Sequence, residues 1–518
     1  METKENLNTG LPAKKLNMWS VYGICLLVST VFFLLFGFNS PIYTFNSDND
    51  YHWFMTMGNS FVNGKIPYRD LFEHKGPIVY LVYAFCCLFP NPGIVILMIE
   101  IISMSLFFFF AYRICIKYLN TFYSLIAIPL LAFTVFTCWC RMFSAATVEE
   151  FTLPIYAYFL LCWLEFLNDN KSWSWVRALC LGLCFGVILW VKYTLIYFMI
   201  VPMIIWLILN ICRRQYRILL NNILFMIAGV LIITLPIICI FALLHALDDL
   251  FYVYFYINLT AYGTTDAKTT LNTFMLFFKI GPALLIFILF GVTYFTIKHW
   301  KKHSGWLLLI AFLTTFILLT YSGKGIAYYY GELIPYAILG IIHALEFLNS
   351  KLNKAKYIEL IYIGVVCICI LLCIPCSVLT SEWGRKKEDY APLVVADILH
   401  KYEKQNNKNA TIFCYKVGDI GVYNASGITP NNYFFAQNVF DQKRFPEMYN
   451  GYYETVTSQK SDFIITLRST WNKPKEQALL SQFYKPYTGD VETSTFYYRK
   501  IHYYRYTNWN FVLLIKNN

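Results

Sequence analysis

Asp48 and Asp50, followed by Arg69, Asp70, Glu73, His74 and Lys75, crowd into residues 39–77, one polar stretch of an otherwise apolar chain. A carboxylate can take a proton from a hydroxyl and a neighbouring cation can hold an anion, so the stretch suits a substrate with a reacting hydroxyl and a lipid-borne phosphate. Between the two groups Tyr51, Phe54, Met57, Gly58 and Phe61 recur at helical spacing, and Asn63-Gly64 supplies a stop. The spacing predicts an amphipathic helix at a bilayer surface with both aspartates at its start. Each residue also has a purely structural use. Asp48 or Asp50 can cap the helix, Arg69 and Asp70 can form a solvated pair, and Lys75 can touch lipid phosphates.

The elements that must position this loop are apolar. Of 518 residues 58% are hydrophobic and 14% charged, whereas a soluble domain carries about 25% charge. About eleven membrane spans are expected, at 19–38, 93–112, 122–140, 151–167, 177–191, 194–212, 219–245, 273–297, 305–321, 329–348 and 357–378. The run 78–90 reaches only about 20 Å as a helix against a hydrocarbon core of about 30 Å, so a surface-lying or re-entrant helix is expected there. Basic clusters support that choice. Arg113/Lys117, Lys171/Arg177, Arg213/Arg214/Arg217, Lys298/Lys301/Lys302 and Lys351/Lys354/Lys356 all fall on one side, with Lys4, Lys14 and Lys15. By the positive-inside rule that side is cytoplasmic, which puts loop 39–77 and the C-terminus outside.

The +12 net charge is therefore a topology signal, and no nucleic-acid partner is expected. Nearly all of the 16 cysteines lie in apolar runs. Cys367, Cys369, Cys373 and Cys376 read as packing residues within such a run. Near Thr380 the composition changes. A charged helix (391–404), strands at Thr411–Tyr415 and Ser461–Thr466, and two aromatic strands, Thr495–Tyr506 and Trp509–Ile515, predict a small extracytoplasmic α/β domain over 380–518, after a transmembrane domain over 1–379. It has no phosphate-binding glycine loop or serine elbow, which favours a docking or acceptor-handling role.

The run from Asp50 through Gly64-Lys65-Ile66-Pro67-Tyr68-Arg69-Asp70 to His74-Lys75-Gly76-Pro77 resembles polytopic glycosyltransferases of the GT-C class. It is most similar to bacterial relatives of the protein O-mannosyltransferases, glycosyltransferase family 39. The motif covers about thirty residues, and the span layout and outer C-terminal domain extend the likeness. The resemblance implies an α-helical, GT-C-like membrane enzyme of the bacterial cytoplasmic (inner) membrane. It would move a hexosyl or pentosyl group from a polyprenyl-phosphate donor to a hydroxyl of a glycan, lipid or protein acceptor, in cell-surface glycan or glycoprotein assembly. Asp50 matches the family's catalytic aspartate and Lys75 its phosphate-binding lysine, with Arg69 a possible helper. An inverting, single-displacement course is implied as well. The family's later His-Tyr…Pro pattern falls on Tyr328, Tyr329 and Pro335, with tyrosine in place of histidine at 328. Asp48-Asn49-Asp50 imitates an Asp-x-Asp metal motif; no cofactor is assigned, and a divalent metal is left open.

Further candidates are polar residues in or beside spans, where charge is costly. Glu149 and Glu150 follow Thr147 in a capping-box pattern but also face the outer side. Lys192, near an outer span end, either meets the carrier phosphate or snorkels. Glu100 is expected to pair with a polar neighbour, and Lys324 and Glu332 flank a Tyr-rich outer loop. Two other readings compete: a transporter or flippase of lipid-linked sugars, and a polysaccharide polymerase or ligase. Against the transporter stand the charged first loop, the C-terminal domain and the lack of paired repeats.

Overall fold

A computed structural model describes residues 16–138, 143–169, 172–262, 267–322, 326–351, 358–488, 495–502 and 505–517. The membrane part consists of α1 (Met18–Phe36), α2 (Asn49–Val62), α3 (Pro77–Cys87), α4 (Pro92–Cys115), α5 (Thr121–Phe136), α6 (Val148–Asp169), α7 (Trp175–Lys192), α8 (Tyr197–Cys212) and α9 (Tyr216–Leu243). It continues with α10 (Ala267–Phe277), α11 (Pro282–Lys298), α12 (Ser304–Ser322), α13 (Ile334–Lys351) and α14 (Ile358–Cys373). Among the described residues seven helical segments are long and apolar enough to cross a membrane, or eight if one bent pair counts as a span. The chain is an integral membrane protein.

That number differs from the expected eleven for physical reasons. The span expected at 273–297 is broken: α10 and α11 meet at 91°, where Gly281 adopts φ +126° and Pro282 opens the next helix. The helices α5 and α14, 16 residues each, are shorter than a full span. The run Trp175–Cys212 reads as one 38-residue apolar segment, but the packing divides it. Gly182 lies on Met226 and Trp190 Nε1 donates to Thr234 Oγ1 at 2.9 Å, so α7 and α9 run parallel. The chain must therefore return along α8 between them. The stretch expected to lie on the surface or re-enter is α3, 11 residues, about 16 Å of helix.

The helix expected in this loop is present as α2. Asp48 is its N-cap, accepting from Tyr51 N–H at 3.1 Å, and Gly64 takes the positive φ (+84°) that ends it. Gly58 lets α2 lie on α3: a β-carbon there would sit 2.6 Å from Ala84 N. Packed between other elements, most of α2 is buried.

After α14 comes α15 (Ala391–Asn406), where the charged helix was expected, and then α16 (Gly421–Ser426). The strands β1 (Ile412–Cys414), β2 (Phe463–Leu467), β3 (Tyr484–Pro486), β4 (Thr495–His502) and β5 (Arg505–Lys516) form one sheet in the order β1-β2-β5-β3, with β4 paired to β5. Only β1 and β2 are parallel; β5 is antiparallel to β2, β3 and β4.

This C-terminal unit docks on α2. Trp53 Nε1 donates to the Gly418 carbonyl at 3.0 Å, and Phe72 N–H donates to that of Tyr433 at 2.9 Å. The Asn424 amide nitrogen lies 2.8 Å from His52 Nδ1 and 3.2 Å from the His52 carbonyl, while its oxygen accepts from Thr56 Oγ1 at 3.2 Å. Asn424→Ala removes all three contacts. The expected outcome is a fold destabilised by about 1–3 kcal/mol, because buried groups of His52 and Thr56 lose their partner. Thermal unfolding of the purified variant checks it.

Candidate active site

The segment Glu73-His74-Lys75-Gly76-Pro77 enters the membrane part under tight steric control. Gly76 N–H donates to the Val191 carbonyl at 3.0 Å, and a β-carbon on Gly76 would collide with the Trp190 carbonyl oxygen. Only glycine fits, so Lys75 is brought against the end of α7, where Lys192 sits. Gly76→Ala should lower Tm and destabilise the fold by about 1–3 kcal/mol or more, the usual range for overpacking; thermal unfolding in detergent measures it.

Buried Glu73 organises this turn. Its Oε2 accepts from Lys75 N–H at 2.8 Å and from the Tyr80 hydroxyl, and Oε1 lies 3.1 Å from His74 Nδ1. Burial works against its charge, but His74, Lys75 and the Tyr80 hydroxyl outweigh it, so the carboxyl stays well below its usual range and ionised. Burial, then the charge of Lys75, depress His74 to about 4 and keep it neutral. The carboxylate favours the proton on Nδ1, which leaves Nε2 as an acceptor 3.4 Å from the Lys75 ammonium. For Lys75 burial again opposes charge, yet Glu73, Tyr262, Asp50 and Tyr329 together outweigh it and raise its pKa. Lys75 is a permanent cation.

Asp50, in the first turn of α2, differs from Asp48. Its Oδ2 is buried with no hydrogen-bond partner among the described residues, although the side chain as a whole is only half-buried. Burial raises its pKa, Lys75 counters this most strongly, and Glu149 and Glu73 push it higher. Among the described residues Lys75 forms no ion pair. Asp50 and Lys75 thus act on each other electrostatically while each keeps free hydrogen-bonding capacity.

Two helix ends complete the group. Glu149 opens α6 and Lys192 closes α7, each at the end whose dipole favours its charge. They pair at 2.6 Å, and the Lys192 ammonium lies 3.9 Å from the Tyr329 ring centroid and 5.5 Å from that of Tyr328. The Tyr329 hydroxyl is 3.0 Å from that of Tyr262, whose ring packs on His74.

The other sequence candidates are directed elsewhere. Arg69 is exposed, pairs with Asp70 at 3.1 Å and donates to the Leu244 carbonyl at 3.0 Å, clipping the loop to the end of α9. Asp70 also accepts from Ile66 N–H at 2.7 Å. Glu150 accepts from Ala145 and Ala146 N–H at 3.1 Å each, and its own N–H reaches Thr147 Oγ1 at 3.4 Å, much as a capping box would arrange it. Glu332 is buried and accepts from Phe198 N–H at 3.0 Å. Glu100 takes 2.9 Å donation from Asn39. Lys324 lies outside the described residues. Asp48-Asn49-Asp50 does not act as one motif, since Asp48 caps the helix. Among the described residues no three His, Cys, Asp or Glu side chains converge as a metal-holding group.

Sequence reading missed Tyr262 and Tyr80. An isolated aromatic in a chain that is 19% aromatic carries no signal of its own.

Nearly the whole chain superposes on two structures of ArnT from Cupriavidus metallidurans. The apo form gives a TM-score of 0.58 at 11% identity, covering 96% of this chain and 97% of that one. The form bound to undecaprenyl phosphate gives 0.55 at 11% identity, with 95% and 97% covered. The fold is that of the GT-C membrane glycosyltransferases. Residues 74–240, which include Lys75, Glu149 and Lys192 but not Asp50, match the family model described as dolichyl-phosphate-mannose-protein mannosyltransferase. No curated protein matches the chain in sequence.

Proposed function

We propose that the protein transfers a hexosyl or pentosyl group from a polyprenyl-phosphate donor to an acceptor hydroxyl on the outer face of the bacterial cytoplasmic membrane. The observation that carries the reading is that, among the described residues, Asp50 Oδ2 has no hydrogen-bond partner and feels the charge of the Lys75 ammonium, which makes no ion pair of its own. ArnT's structure with undecaprenyl phosphate supports a lipid phosphate as the anion.

In this reading Asp50 takes the proton of the acceptor hydroxyl as its oxygen bonds to the anomeric carbon. The bond from that carbon to the phosphate oxygen breaks, and the phosphate leaves on its lipid, gaining charge that Lys75 stabilises. Lys192 adds a second positive field, moderated by Glu149. Attack opposite the leaving group inverts the anomeric centre. His74, neutral, holds Lys75 without competing for the phosphate.

A panel of synthetic polyprenyl-phosphate hexoses and pentoses, offered to the purified protein with cell-envelope acceptors, tests the reading. At least one should yield free polyprenyl phosphate together with glycosylated acceptor. Donors that all survive intact, in conditions where the protein binds polyprenyl phosphate, would refute it.

A further inference from the structure

At the end of the molecule opposite loop 39–77 is a second polar site. The Leu244 carbonyl, just past the C-terminus of α9, receives Arg69 of that loop, so the N-terminus of α9 lies at the other face. There a cavity of about 480 Å³ is lined by Ser172, Trp173, Arg217, Asn222, Leu220 and Leu224, among others. Asn222 is 1% exposed, and among the described residues neither its Nδ2 nor its Oδ1 has a hydrogen-bond partner. A buried amide with two unmet groups is costly unless something visits it. Trp173, stacked on Trp206 at 4.8 Å and 6°, makes one wall rigid.

Two more features indicate what visits. No side chain caps the first turn of α9 and it holds no acidic residue, so its N–H groups and dipole favour an anion. Arg217, exposed in that same turn, adds a full positive charge. The helix has 28 residues, about 42 Å against a hydrocarbon core of about 30 Å, which puts its first turns at headgroup depth. Exposed Leu220 and Leu224 continue from the cavity toward the acyl region.

We propose that this cavity binds the phosphate headgroup of an anionic phospholipid in the leaflet opposite the active site. Arg217 and the helix N-terminus hold the phosphate, the Asn222 amide donates to it and accepts from a headgroup hydroxyl, and Leu220 and Leu224 receive the acyl chain.

The test uses full-length protein stripped of lipid in detergent, titrated with phosphatidylglycerol or phosphatidylcholine of equal chain length and followed by native mass spectrometry and thermal unfolding. Phosphatidylglycerol should bind at least tenfold more tightly. Asn222→Leu should weaken it about tenfold while leaving the lipid-free Tm equal or higher, because leucine brings no unpaired polar atom. Arg217→Gln should remove the preference between the two lipids. Equal binding of both lipids by the wild type, or unchanged phosphatidylglycerol binding by Asn222→Leu, would overturn the proposal. So would displacement of the lipid by millimolar inorganic phosphate, which would mark a free-anion site.

Discussion

Asp50→Asn is expected to lower kcat by roughly 10²-fold or more, the usual contribution of a positioned general base. Its donor KM and Tm should stay close to those of the wild type. The structure makes this substitution informative because Asp48, not Asp50, caps α2, and among the described residues Asp50 Oδ2 has no hydrogen bond to lose. A loss of turnover therefore cannot come from an unravelled helix. Asp48→Asn is the control: asparagine is about as good a cap, so its defect should be mild. The pH profile gives a second readout. Burial raises the Asp50 carboxyl, and the base acts only when deprotonated. Turnover should fall as pH drops through a value above the ordinary carboxylate range, and that acidic limb should vanish in Asp50→Asn. A wild-type profile flat down to pH 4 would count against Asp50 as the base.

Lys75→Met should act on binding first. Losing one charge-assisted hydrogen bond to phosphate costs about 1.5–3 kcal/mol, so affinity for the polyprenyl-phosphate carrier should fall roughly 10- to 100-fold. Stability should fall less than in Lys192→Met, because among the described residues the Lys75 ammonium makes no contact ion pair, although its field helps to keep buried Glu73 ionised. Lys192→Met supplies the contrast. It strands Glu149, 2% exposed, as an unpaired buried carboxylate, a loss of about 3–5 kcal/mol, so its Tm should drop sharply. Carrier titration and thermal unfolding of the two purified variants separate a phosphate ligand from a structural ion pair. Equal losses of stability would merge the two roles.

Much of this site is local in sequence, and that part was readable. The helix Asn49–Val62 follows from the spacing of Tyr51, Phe54, Met57 and Phe61 and from its Asn63-Gly64 stop. The Lys-Gly-Pro turn marked where an N-terminal helix signal follows a charge. Which aspartate caps was not readable, because Asp48 and Asp50 have the same chemistry and only the backbone path distinguishes them. The partners of Lys75 and Lys192 were hidden for another reason. Glu149, Tyr262 and Tyr329 come from separate segments brought together by the bundle, and no period or motif connects them. The break at Gly281-Pro282 was written in plain residues, but the apolar run across it looked continuous. The docking of Asn424 on His52 spans 372 positions and left no local trace.

Reconstitution in liposomes tests the central claim most directly. A donor labelled in its sugar and in its lipid is placed on the face bearing Asp50, with an acceptor hydroxyl on the same side. The account predicts that the labels part company: sugar on the acceptor, lipid as free polyprenyl phosphate, at a rate roughly 10²-fold or more lower with Asp50→Asn. Label that crosses the bilayer with the sugar–phosphate bond intact, at equal rates in wild type and variant, would contradict it and make the protein a transporter of lipid-linked sugars.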